Sequence, residues 1–131
     1  MPYKVFISHA GIDSWVAKQI ELQIKKTGAI TFMDAANIDI GDKFEENMET
    51  ELRDSKELVV LITPWSLDRP YIWLEIGGAW MLKLRIIVVL YGISIEEVSK
   101  NAKIPILIKE KDIVEINNLD AYFDQLQKRV N

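Results

Sequence analysis

Two runs, Leu58-Val59-Val60-Leu61-Ile62 and Ile86-Ile87-Val88-Val89-Leu90, restrict this chain more than anything else in it. Each is aliphatic at every position, with no alternation of polar and apolar residues. A strand with one wet face alternates with a period of two, whereas a strand that is apolar throughout needs cover on both faces, as a central parallel strand has. Strands of that kind belong to a parallel sheet sandwiched between helices.

The rest of the chain supplies the alternation such a sheet requires. Val5-Phe6-Ile7 is a first strand, stopped by Ser8-His9-Ala10-Gly11, after which Asp13 or Ser14 can cap a helix. Val16, Ile20 and Ile24 recur at helical spacing, Lys25-Lys26 close the last turn, and Gly28 is placed as the C-terminal cap. Ile30-Thr31-Phe32-Met33 is a second strand ending at Asp34. The loop from Ala35 to Gly41 leads to Asp42-Lys43-Phe44-Glu45, which resembles a capping box, and Phe44, Met48 and Leu52 line one face of the helix that follows.

The first aliphatic run comes next, then a helical stretch from Pro64 to Trp80, then the second run. After Gly92 the pattern weakens: Ile95 to Lys100 reads as a helical turn and Ile106-Leu107-Ile108 as a short edge strand. Leu119, Phe123, Leu126 and Val130 make a final helix starting near Asn118 or Asp120. The predicted architecture is α/β, a single domain over residues 1–131. Its five parallel strands take the order 2-1-3-4-5, with helices on both faces. In that order the topological switch lies between strands 1 and 3, and ligands bind beyond their carboxyl ends. Those ends are Ser8-His9-Ala10 and the stretch from Pro64 to Glu75.

Composition removes several classes of function. A net charge of −4 over 131 residues argues against a nucleic-acid binder, which needs a basic stripe to neutralise phosphates. There is no cysteine, so disulfides, thiolate metal sites and a thiol nucleophile are out, in keeping with a cytoplasmic protein. His9 is the single histidine, and no metal-binding spacing surrounds it. The apolar runs fall short of the ~20 residues a membrane helix needs. Met1-Pro2-Tyr3-Lys4-Val5 leads straight into a strand, without a signal-peptide pattern. The six glycines match neither GxGxxG nor a Walker A loop. The expectation is an intracellular domain without metal or cofactor, whose partners are small molecules or proteins.

Of the two carboxylates between Pro64 and Trp80, Asp68 adjoins Arg69, whereas Glu75 stands among aromatic and aliphatic residues, with Arg69 and Lys83 the nearest charges along the chain. An acid withdrawn from water is costly unless it is paired, hydrogen-bonded or put to use. Glu75 either sits in a helix's first turn, where the dipole and spare N–H groups favour an acid, or serves a function. Gly77-Gly78 follows it inside a helical pattern marked by Trp73, Ile76 and Trp80. Each glycine costs roughly 1 kcal/mol there relative to alanine, so something approaches the helix closely, either a sheet or a ligand.

Several of these stretches together resemble the Toll/interleukin-1 receptor (TIR) domain: Lys4 to Ala10, Asp13, the loop from Asp34 through Gly41 to Phe44, residues 57 to 66, and Trp73-Leu74-Glu75-Ile76. The resemblance covers residues 4 to 92 well and the tail loosely. It implies a flavodoxin-like fold and, in many bacterial and some animal and plant members, an enzyme that cleaves the nicotinamide–ribose bond of NAD. The family's catalytic glutamate falls at Glu75, beside Trp73. Ser8, His9, Ala10 and Gly11 match the loop that helps hold the nucleotide, and Phe32 and Asp34 border it. The loop from Asp34 to Phe44 is the family's BB loop, used in self-assembly, with Ile38, Ile40, Gly41 and Phe44 as its contact residues. NAD is then a substrate, and other TIR domains and a sensor domain or subunit are partners, in immune or antiphage defence.

Nicotinamide leaves NAD as a neutral molecule from a cationic bond, so no general acid is required and one carboxylate suffices, unlike ordinary glycoside hydrolysis with two. That carboxylate would bind ribose hydroxyls and stabilise the charge developing on the sugar. Trp73, Trp80, Phe6 or Phe32 could stack on a ring or simply belong to the core. His9 either meets a phosphate or ribose at the crevice mouth or is a buried loop residue satisfied by backbone. Two rival readings are a TIR scaffold without activity, which leaves Glu75 no use, and an enzyme resembling nucleoside deoxyribosyltransferases. Hydrolysis and cyclisation are both open as outcomes.

Overall fold

In the computed structural model the described residues are 2–34, 44–100 and 112–131. Five strands, β1 (Lys4–Ser8), β2 (Ile30–Asp34), β3 (Glu57–Ile62), β4 (Arg85–Leu90) and β5 (Asp112–Glu115), form one sheet in the order β2-β1-β3-β4-β5, with every pairing parallel. The helices are α1 (Ser14–Lys26), α2 (Phe44–Arg53), α3 (Pro70–Met81), α4 (Ile95–Lys100) and α5 (Leu119–Val130). Fold class and strand order are those expected.

The aliphatic runs do what their composition demands. All six residues of β3 are buried, and successive side chains go to opposite faces of the sheet. Leu58, Val60, Ile62, Val88 and Leu90 join Phe6 and the helices α2 and α3 in one core. Val59, Leu61, Ile87 and Val89 join Val5, Ile7 and the helices α1 and α5 in the other.

Helix α1 ends as its sequence foretells. Gly28 takes a φ of +98°, a left-handed conformation that closes the helix at little steric cost only for glycine, and its N–H reaches the Lys25 carbonyl at 3.0 Å. The edge strand is Asp112–Glu115, two β-branched residues between acids, a stretch that the sequence did not single out. Residues 106–108 and the acid opening the suggested capping box, Asp42, lie outside the described residues. A half-exposed edge strand needs only a short apolar centre, so Ile113-Val114 suffices.

At the amino end of β3, Glu57 is fully buried and its carboxylate is saturated. Tyr3 Oη donates to Oε1 and Tyr122 Oη to Oε2, both at 2.5 Å, while Arg129 donates through Nε and Nη2 at 3.0 and 3.2 Å. One anion thus gathers the N-terminal segment, the central strand and the final helix. Burial, together with the charge of Glu57 and the hydrogen bond to it, holds the Tyr122 phenol protonated far above the ordinary tyrosine range. Tyr3 is raised by the same causes, and Arg129, although burial opposes its charge, is raised by Glu57.

Arg129→Leu should strip the charge partner from a buried carboxylate and lower unfolding free energy by about 3–5 kcal/mol, read from urea midpoints. Tyr122 also fixes an alkaline limit. Its proton is kept in the folded state and released in the unfolded chain near the ordinary value of 10.0, so stability is level below that pH and falls as pH rises above it. Tyr122→Phe should lower the plateau by about 1–3 kcal/mol and flatten that alkaline slope in a pH series of denaturation curves.

Candidate active site

Glu75 lies in the second turn of α3, because the helix begins at Pro70 with no acid in its first turn. This removes the helix-start explanation, since the dipole's effect fades beyond that turn. The side chain is 1% exposed and accepts a hydrogen bond from Ser8 Oγ at 2.6 Å, across 67 residues of sequence. Ser8 ends β1 and pairs in register with Asp34 on one side and Val60 on the other. A carboxylate from the helix after β3 therefore meets the carboxyl end of β1, at the switch point the topology designates.

The β1–α1 loop is organised by its own polar side chains. Ser14 Oγ donates to the Gly11 carbonyl at 2.6 Å, and its oxygen receives the His9 Nε2–H at 3.2 Å. His9 is fully buried, so its ring is part of the loop's framework in this structure, with the Ser14 hydroxyl as one of its partners. Ala10 is buried and Gly11 partly exposed. Asp13 makes no capping bond to α1; its carboxylate instead accepts from Thr63 Oγ1 at 2.7 Å.

Phe32, on β2, packs on Phe6 with ring centroids 5.1 Å apart, and both rings join the core that holds α3. Trp73 is half-buried and its indole N–H donates to the Leu67 carbonyl at 3.1 Å, fastening the segment before α3 to the helix. Trp80 is 51% exposed and lines a groove of about 730 Å³ between α2 and α3, to which neither Ser8 nor Glu75 contributes. Asp34 closes β2. Of the expected assembly residues, Ile38, Ile40 and Gly41 lie outside the described residues, and Phe44 opens α2.

The glycine pair has a partner of its own. A methyl added at Gly78 would stand 3.2 Å from Leu52 Cδ1, so the close approach is by helix α2, not by the sheet. Gly77 has nothing within 4 Å and faces the groove. Thr63 and Ser66 fall within the stretch 57 to 66 that carries the resemblance, but sequence reading assigned neither a role. They are small polar residues after a strand, a pattern every turn shares, and only the fold reveals what they hold.

Fold and geometry define an α/β domain with a buried, serine-bound carboxylate at the switch between its first and third strands. The sequence matches the TIR domain family over residues 5–129, and the chain belongs to that family. A protein of Brachypodium distachyon named "Probable 2' cyclic ADP-D-ribose synthase BdTIR" is 28% identical over 93 residues, which are 70% of this chain and 42% of that protein; the chain thus spans less than half of its relative's length. The TIR domain of the Toll-related receptor TRR-2 from Hydra magnipapillata superposes with a TM-score of 0.69 at 19% identity, over 97% of this chain and 96% of that one. The CMP N-glycosidase BcmB of Clostridium botulinum shares the fold with a TM-score of 0.59 at 19% identity, over 95% and 98% of the two chains.

Ser8→Ala should leave a buried carboxylate oxygen without its hydroxyl donor and lower stability by about 1–3 kcal/mol, measured by urea denaturation.

Proposed function

We propose that this TIR domain cleaves the nicotinamide–ribose bond of NAD, with Glu75 as the catalytic residue. The observation that carries the reading is the placement of the Glu75 carboxylate, withdrawn from water and held by Ser8, at the carboxyl end of β1. The name of the Brachypodium relative, a cyclic ADP-ribose synthase, supports NAD-type chemistry at such a site.

The bond between the nicotinamide nitrogen and ribose C1′ breaks, and its electron pair leaves with nicotinamide, which becomes neutral. The positive charge passes to the sugar. Glu75 binds the ribose hydroxyls and stabilises that charge, with more force than in water because its surroundings are apolar. Water then adds at C1′ and releases a proton, giving ADP-ribose; a hydroxyl or ring nitrogen of the same molecule at that position gives a cyclic product instead. The groups of the β1–α1 loop, from Ser8 to Gly11, take the nucleotide side, and Phe32, Asp34 and Trp73 border the site. Assembly through the segment carrying Ile38, Ile40, Gly41 and Phe44 switches the activity on, under a sensor domain or subunit, in cytoplasmic immune or antiphage signalling.

The test is nicotinamide release from NAD by wild type and Glu75→Gln, with melting temperature alongside. The amide keeps an acceptor for Ser8, so the fold should hold while the rate falls about 10²–10³-fold. Equal release from both proteins would exclude Glu75. No release from either, with the domains forced together at high concentration, would favour a scaffold. CMP and deoxynucleosides serve as alternative substrates, and their preferential cleavage would place the domain nearer the N-glycosidases.

A further inference from the structure

Among the described residues, side-chain hydrogen bonds join the carboxyl end of β1 and the loop after it to the segment that follows β3. One link is Ser8 to Glu75. Another is Asp13 to Thr63, at 2.7 Å, between two buried side chains that the proposed chemistry does not use. Thr63 is fully buried, and its hydroxyl oxygen also accepts the N–H groups of Trp65 at 3.3 Å and Ser66 at 3.2 Å. Ser66 answers it: its Oγ receives the Thr63 N–H at 2.8 Å and donates to the Thr63 carbonyl at 3.0 Å. With its one proton given to Asp13, Thr63 has both lone pairs free to hold the turn.

The route from this turn to the site is short and every step is fixed. The turn continues into a 3-10 segment, Ser66–Asp68, whose Leu67 carbonyl is gripped by the Trp73 indole, and Glu75 lies two residues beyond Trp73 on the same helix. On the other side, Asp13 N–H bonds the Ala10 carbonyl at 2.9 Å, one step from His9 and two from Ser8. Movement of Asp13 relative to Thr63 is therefore movement of one wall of the crevice relative to the other.

We propose that Asp13 and Thr63 are positioning residues, a brace that fixes the spacing of the β1–α1 loop against the start of α3 and so holds Glu75 in register with the site. The effect on catalysis rests on the NAD-cleavage reading; the brace itself does not. A charge-assisted hydrogen bond between buried groups is among the stronger ones available to a protein. Misplacement of a reacting group by about 1 Å can cost roughly 10²-fold in rate, so the brace can govern turnover without touching substrate.

The experiment combines amide hydrogen exchange with nicotinamide-release kinetics on Asp13→Ala, Thr63→Val, the double variant and Thr63→Ser. A brace predicts that Thr63→Val speeds exchange in residues 9–14 as well as in 63–68, that Asp13→Ala does the reverse, and that Thr63→Ser restores both. It predicts a kcat loss of tenfold or more with a smaller change in KM, and a double variant no worse than the poorer single one. Exchange changes confined to the mutated side, or losses that multiply in the double variant, would overturn the brace. If wild type releases no nicotinamide, the NAD reading fails and the exchange pattern alone decides the brace. Should Thr63→Val not fold, Asp13→Ala, which removes the acceptor, takes its place beside Asp13→Asn, which keeps one; acceleration in 63–68 by the alanine variant that the asparagine variant largely reverses supports the brace, and its absence in the alanine variant overturns it.

Discussion

Carboxylates withdrawn from water govern this domain, because each must be met by donors drawn from distant parts of the chain. Glu57, at the entry of the central strand, collects two phenols and a guanidinium. Glu75 and Asp13, at the exit of the same strand, are met by Ser8 and Thr63. The two ends are built to different ends. The entry carries a charge pair with every oxygen spoken for, which suits a fixed foundation. The exit meets its acids with hydroxyls, Ser8 on Glu75 and Thr63 on Asp13, which tie the segments on either side of the candidate site together.

The surroundings of α3 follow from the same requirement. A helix with a single charged residue, itself turned inward, has to be held by shape and by hydrogen bonds. Gly78 lets Leu52 of α2 come close, and the Trp73 indole secures the preceding turn. The rings near Glu75 thereby have structural duties whatever else they do: Phe6 and Phe32 pack on each other, and Trp73 ties a carbonyl.

Much of this was legible in the residues. Uninterrupted aliphatic runs can be satisfied in few ways, so the parallel sheet and its order followed from β3 and β4. Glu75 stood out because a lone acid among rings is rare enough to notice. Asp13 was read as a helix cap, since local spacing cannot distinguish a carboxylate that turns to its own helix from one that reaches 50 residues away to Thr63. Tyr122 was passed over for its neighbours Leu119 and Phe123, and Glu57 for the aliphatic run that begins at Leu58. Their meeting depends on where α5 lands, which no periodicity specifies. The edge strand Asp112–Glu115 went unread for a related reason: its two half-exposed residues leave too small an apolar signal to notice.

The ion pair between Glu57 and Arg129 spans 72 residues of chain. During synthesis at ~5–20 residues per second, the guanidinium is made roughly 4–14 s after the carboxylate. Until then the central strand carries an acid that its final position would bury without charge compensation. The nascent sheet consequently has reason to keep its entry end in water until α5 is complete. Commitment to the folded state thus waits for α5, the helix that carries the guanidinium.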